Sequence, residues 1–543
     1  MSGFGKTACG LFIKLIIICF LSYVCHHMSL SNLTSLARND ADPVFSSLDP
    51  QEFLLLCQKL QKRDIDWACQ RGCHVQFSIS PFGQNANEGK MLNGYPFPVV
   101  VTPEPCPTSP SCDNSVPLGD LTGRTNMLAL LYGNIPQGAQ LAPALQEAKI
   151  AIFGGITGDS AHPGASIQKF DPLTGTYVVI DTQSTDPNVN DLLDPAFAIP
   201  DINSEYLDLK DQNFGFFSFP LSYRKRGLAF DFEIGYGDIG LHLQTRVCSI
   251  RQTVDGRINK TPAESFPSNP ANPVPQPDVT PAPDPALTGQ ITNTQVNAYL
   301  MDKLDIIADQ ILINIGDFIQ TSADEFRASL FWRHLYDIGT CDREDWPHVF
   351  VIPFFELTGS FSPGKAMPAG NLFAVPFGNN KHTAVGFSGG INFDFVETIE
   401  IGGEFGYTHF FERTFFDVPV PTSIFQNNIY PFRTDVNVNP GGNLYFAGKL
   451  AAYHFLDMLS MYFQYVVVEH KKDKIDLVRN KDINIFYPDI LENKSSFKTK
   501  LANIGFNYDL SPNISLGFLW QAPLSQRNTY RSTTIMFTFT GTF

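Results

Sequence analysis

The stretch Thr533-Thr534-Ile535-Met536-Phe537-Thr538-Phe539-Thr540-Gly541-Thr542-Phe543 decides how the chain is read. Ile535, Phe537, Phe539 and Phe543 fall on one face of an extended strand, and Thr534, Thr538, Thr540 and Thr542 fall on the other. Successive side chains of a strand point to opposite faces, so this segment separates an apolar medium from a polar one. At about ten residues it also has the length that a tilted strand needs to cross a hydrocarbon layer.

Working outward from that strand, three tight hairpins repeat the alternation. Ile391-Asn392-Phe393-Asp394-Phe395 turns at Val396-Glu397 into Ile399-Glu400-Ile401-Gly402-Gly403-Glu404-Phe405-Gly406-Tyr407. A second hairpin runs from Leu444 to His454, turns near Leu456-Asp457 and returns through Met461 to Val466. The third runs through Ile504-Gly505-Phe506-Asn507-Tyr508, turns at Ser511-Pro512-Asn513 and returns from Ile514 to Trp520. Longer polar stretches at 412–441, 471–497 and 523–529 separate them, so brief turns alternate with extended loops. That alternation is the topology of a membrane barrel.

The same signature predicts strands at 73–80, 213–221, 228–236, 239–250 and 347–361, with further ones at 149–157 and 325–337. The fold class is therefore all-β, a single transmembrane antiparallel β-barrel of about fourteen strands within a range of about twelve to sixteen. This count places 158–212 at the short-turn end, and an extra strand around 125–133 would change the register.

Composition agrees. A hydrophobic fraction of 43% and a mean hydropathy of -0.06 exclude a bundle of membrane helices, while 47 Phe and 18 Tyr suit apolar outer faces and aromatic girdles. The formal charge of -16 argues against nucleic acid as a partner, because displacing counterions from phosphates requires a basic face.

Residues 1–37 read as a secretory signal peptide: Lys6 and Lys14 precede the short apolar run from Leu15 to Val24, and Ser35-Leu36-Ala37 offers a cleavage site. The rival is an uncleaved anchor. Residues 38–72 read as a periplasmic N-terminal segment with a short helix after Asp49-Pro50, and 73–543 as the barrel. Inside it, 256–288 is a Pro-rich loop linker, and 293–320 is a loop helix with Leu300, Leu304, Ile307, Ile311, Ile315 and Phe318 on one face. That helix either folds into the barrel mouth or packs on its own linker. Cys106-Pro-Thr-Ser-Pro-Ser-Cys112 reads as a disulfide loop, and no second ligand pair accompanies it to make a metal site.

There is no phosphate-binding loop, dinucleotide fingerprint, Gly-x-Ser-x-Gly elbow or His-Glu-x-x-His helix, so no cofactor is expected and no enzyme. The polar faces of the strands carry Asp231, Glu233, His242, Gln244, Arg246, Asn392, Asp394, Glu400, Glu404, Lys449 and Gln464. Charges facing lipid at mid-depth cost about 2–4 kcal/mol for basic groups, so this set lines a polar lumen. A lumen filled by ion pairs makes a structural or adhesive barrel; an open one makes a channel, which a wide ring of strands favours.

From Thr383 to Phe543 the chain resembles the C-terminal half of bacterial porin-type outer-membrane proteins, through the three hairpins and the aromatic last strand quoted above. The resemblance implies the outer membrane of a Gram-negative cell, contact with its lipid, and a terminal signal at Phe537, Phe539 and Phe543 read by the barrel-assembly machinery. It also implies passive diffusion of small solutes, and a homo-oligomer as a further partner. The cysteines near the mature N-terminus and the acidic balance are similar to those of the major outer-membrane proteins of chlamydia-like bacteria. Two other functions carry separate expectations: a surface adhesin or structural barrel acting through loops 81–148 and 251–324, and an outer-membrane hydrolase built on Ser and His.

Overall fold

The computed structural model describes residues 73–90, short stretches between 115 and 180, 216–259, 303–338, and nearly all of 349–543. Twelve strands form one antiparallel ring. In chain order they are β1 (Cys73–Ala86), β2 (Leu221–Tyr236), β3 (Ile239–Val254), β4 (Phe318–Arg333), β5 (Val349–Phe361), β6 (Thr383–Phe395), β7 (Ile399–Phe410), β8 (Asn443–Leu456), β9 (Leu459–His470), β10 (Phe497–Ser511), β11 (Ile514–Arg527) and β12 (Thr533–Thr542). Each pairs with its chain neighbours, and β12 pairs with β1 to close the ring. The closing seam carries Val75 N–H to Phe543 O at 3.0 Å and Phe543 N–H to Val75 O at 2.8 Å. Closure removes every exposed sheet edge, which a strand assembly in hydrocarbon requires. A short strand, Tyr336–Asp337, adds to β5 outside the ring.

The count is twelve, not fourteen, and the ring closes without two of the segments read from the sequence. Residues 213–221 contribute Phe216–Ser218 to a three-stranded loop sheet with Ile258–Asn259 and Thr125–Asn126. Phe217 and Phe219 are fully buried there, so that apolar run belongs to a loop core instead of a lipid-facing wall. The segment 149–157 lies outside the described residues. In the ring β1 is followed directly by β2, so the connection between them runs from 87 to 220. The connections at the short end include 237–238, 396–398, 457–458 and 512–513, whereas the opposite end carries 87–220, 255–317, 362–382, 411–442, 471–496 and 528–532.

The alternation of β12 is realised in space. Phe537 and Phe539 are 56% and 48% exposed on the outer face, while Thr538 and Thr540 are buried at 3% and 2% on the inner one. Outward aromatic and aliphatic side chains recur around the ring, with Phe355, Phe393, Ile401, Phe446, Phe463 and Trp520 all exposed. Soluble monomers rarely expose a contiguous apolar belt of this kind to water. Among the described residues no helix is long and apolar enough to cross a membrane.

The loop helix is shorter than its periodicity predicts. Among the described residues helix occupies 303–310, ending ten residues before the expected 320, and Phe318 opens β4 instead of closing a helix. Leu304, Ile307, Ala308 and Ile311 are buried in one apolar cluster with Phe373, Val375 and Phe377 of loop 362–382, so the helix packs on a neighbouring loop over the mouth. The signal segment 1–37, the segment 38–72, the cysteines Cys106 and Cys112 and most of the Pro-rich linker lie outside the described residues.

Candidate functional site

All eleven residues assigned to a lumen from sequence lie on inward strand faces. Asp231, Glu233, His242, Gln244, Arg246, Asn392, Asp394, Glu400, Lys449 and Gln464 are buried, and Glu404 is half-buried. Exposure to lumen water counts as exposure, so an inward wall this buried is one whose side chains mostly touch each other. Twelve strands enclose more space than the eight that side chains just fill, and here long Arg, Lys, Glu and Tyr side chains and an inward loop occupy it.

The densest charge cluster depends on a bulge that alternation does not reveal. The β3–β4 register shifts between Ala323 and Phe326, and the consecutive residues Asp324 and Glu325 both turn inward, at 0% and 2% exposure. Lys225 Nζ lies 2.6 Å from Asp324 Oδ2, and Arg246 reaches the same oxygen at 3.4 Å. Arg327 lies 3.5 Å from Glu325 Oε2. Buried charges persist only when paired in this way.

Loop 362–382 folds down onto the same bulge. The single Ser362 hydroxyl proton is shared between the carbonyls of Asp324 and Phe377, 2.9 and 2.7 Å from Oγ, and Asn379 Nδ2 donates to Glu325 Oε1 at 2.8 Å. The Gly378 N–H donates to the Asp324 carboxylate. Gly378 has φ +54°, and a Cβ there would stand 2.9 Å from the Asp324 carbonyl oxygen. Only glycine meets both demands, so the loop lies flush on the wall and narrows the lumen.

Beside this cluster, Arg327, Glu356, Glu404 and Tyr445 line a cavity of about 20 Å³, room for a single water. Tyr445 OH donates to Glu404 Oε1 at 2.8 Å, whereas Glu356 Oε1 is buried with no hydrogen-bond donor. Elsewhere on the wall Lys449 and Tyr453 both converge on Glu400, His242 Nε2 sits 3.1 Å from Asp231, and Gln521, Asn503 and Gln464 form a relay with bonds of 3.1 and 3.2 Å. Ser78 and Ser80 bond to Thr540 and Thr538 at 3.0 Å across the closing seam.

Sequence reading missed Lys225, Asp324, Glu325, Arg327, Arg333 and Glu356, all buried inside the ring. Lys225 carried a signal, since strict alternation in Arg224-Lys225-Arg226 turns the middle residue inward. Asp324 and Glu325 carried none, because a bulge breaks the period. At the loop-side rim, outside the strands, His382 Nδ1–H donates to the Phe411 carbonyl at 2.8 Å, which fixes that nitrogen as the protonated one. Burial pushes its imidazole down to about 4, so it is neutral at physiological pH.

A closed antiparallel ring that is apolar outside and charged inside, with short turns at one end and long loops at the other, has the architecture of an outer-membrane β-barrel. No family model and no curated protein matches the chain. Among solved structures it is similar to an outer membrane channel from Pseudomonas putida F1, at 8% identity and TM-score 0.35, over 59% of this chain and 85% of that one. The Pseudomonas putida toluene transporter TodX matches at 9% identity and TM-score 0.22, over 95% and 94%. Salmonella typhi OmpF, in complex with daunomycin, matches at 8% identity and TM-score 0.18, over 60% and 91%. At such values nothing about the cargo of those proteins transfers to this chain.

Proposed function

We propose that the barrel is a narrow outer-membrane channel for passive diffusion of small polar solutes. The observation that carries this reading is a closed ring of twelve strands, wider than the eight whose interior side chains just fill, with a charged and polar inner face. Fixed charges on a pore wall bias small ions, and here the buried inward carboxylates outnumber the buried inward cations. Crowding of the wall and the seated loop 362–382 keep the resting pore close to water size.

Reconstitution of the full chain in planar bilayers tests this. Discrete conductance steps with a preference for cations are expected, and Gly378→Val, which lifts loop 362–382 off the wall, enlarges the step severalfold. Bilayers that stay silent with both proteins contradict a channel. A structural or adhesive barrel is the second reading, favoured by the compact apolar core that the long loops build over the mouth. Silent bilayers, combined with partner binding that survives grafting of those loops to another scaffold, select it.

A further inference from the structure

We infer that the outer wall of β2 and β3 carries a binding site for the phosphate groups of an outer-leaflet lipid, formed by Arg224, Arg226 and Arg251. All three side chains are exposed on the outward face, and all lie toward the long-loop end of their strands. Arg224 stands directly opposite Arg251 in the β2–β3 register, with Arg226 two residues below. Like charges facing each other across a strand pair repel. No ion pair relieves them among the described residues, where their one side-chain hydrogen bond is donated by Arg251 Nε to Thr253 Oγ1 at 3.2 Å. By contrast, the outward Lys498 on β10 is neutralised by Glu469 at 2.7 Å.

The height of the cluster identifies its occupant. Leu228 and Val247, paired two register rows below Arg226 and so on the same outward face, are 44% and 47% exposed and open the apolar belt on these two strands. A strand rises roughly 3.3 Å per residue, so Arg226 sits about 7 Å above the belt and Arg224 about 13 Å above it, measured along the strand. That interval is the headgroup layer, and an anion bridging Arg224 and Arg251 converts the repulsion into two charge-assisted contacts. A guanidinium presents a planar fork that matches phosphate oxygens, which suits this trio to phosphate better than lysines would be. Lipid, as opposed to soluble phosphate, is the source because the side chains emerge from the wall that faces the membrane.

The full chain in detergent micelles, titrated with diphosphorylated lipid A and with the same lipid stripped of phosphate, gives the test by native mass spectrometry. Wild type is expected to hold the phosphorylated lipid about tenfold more tightly, a preference that Arg224→Gln/Arg226→Gln/Arg251→Gln abolishes and the corresponding triple Lys variant keeps in part. Should the triple Gln variant fail to fold, Arg226→Gln alone makes the comparison, with an expected loss of about threefold. Equal binding of the two lipids by wild type, an undiminished preference in the Gln variants, or displacement of the lipid by an equal concentration of inorganic phosphate would each overturn the site.

Discussion

Asp324→Ala is expected to destabilise the barrel by about 3–5 kcal/mol, the usual effect of stranding a buried charge by deleting its partner. Asp324 is fully buried, and its carboxylate accepts from Lys225 and from the Gly378 N–H while facing Arg246. Removing it leaves two cations in the wall without that countercharge and frees loop 362–382 from one anchor. Unfolding of the micelle-embedded protein by urea, followed by the loss of heat-modifiable electrophoretic mobility, measures the change. Asp324→Asn keeps the shape and part of the hydrogen bonding and should fall between the two. A change below about 1 kcal/mol would mean that water already solvates this part of the wall, as it does for an exposed pair.

Phe537→Arg on the last strand should be nearly as damaging, for the opposite reason. Phe537 is 56% exposed at the middle of β12 and packs against Phe518 of β11 with ring centroids 5.2 Å apart. A guanidinium there meets hydrocarbon at mid-depth, which costs about 2–4 kcal/mol, and the aromatic contact is lost as well. The yield of folded protein after refolding into lipid vesicles reads the effect. Thr538→Arg, one residue away on the inner face, is expected to leave insertion largely intact. Equal defects at the two positions would show that the faces of β12 do not meet different media.

The parts of this fold legible in the sequence are those where one physical rule acts alone. Where a strand separates lipid from a polar interior, period-two alternation is enforced along its length, so β12, the three hairpins and the inward positions of Asp231, Glu233 and Glu400 could be read residue by residue. Reading failed where a second burial environment imitated the first. Phe217 and Phe219 are apolar because the loop core over the mouth is dry, and a run of β-formers there looks like a wall strand. The loop helix failed similarly: Ile311, Ile315 and Phe318 continue a helical spacing, yet their burial comes from loop packing and from the start of β4. The Asp324–Glu325 bulge was invisible because alternation predicts one inward residue of any consecutive pair, and only the paired register shows both turned in.

The most direct measurement of the central claim is depth-resolved fluorescence quenching by brominated lipid in vesicles, using tryptophan-free protein with single Phe539→Trp or Thr540→Trp substitutions. Position 539 is 48% exposed on the outer face and 540 is 2% exposed on the inner one. The barrel described here predicts strong quenching by bromine near mid-bilayer at 539 and almost none at 540. Equal quenching at the two neighbouring sites, or quenching at neither, would contradict a strand that stands between hydrocarbon and a polar lumen.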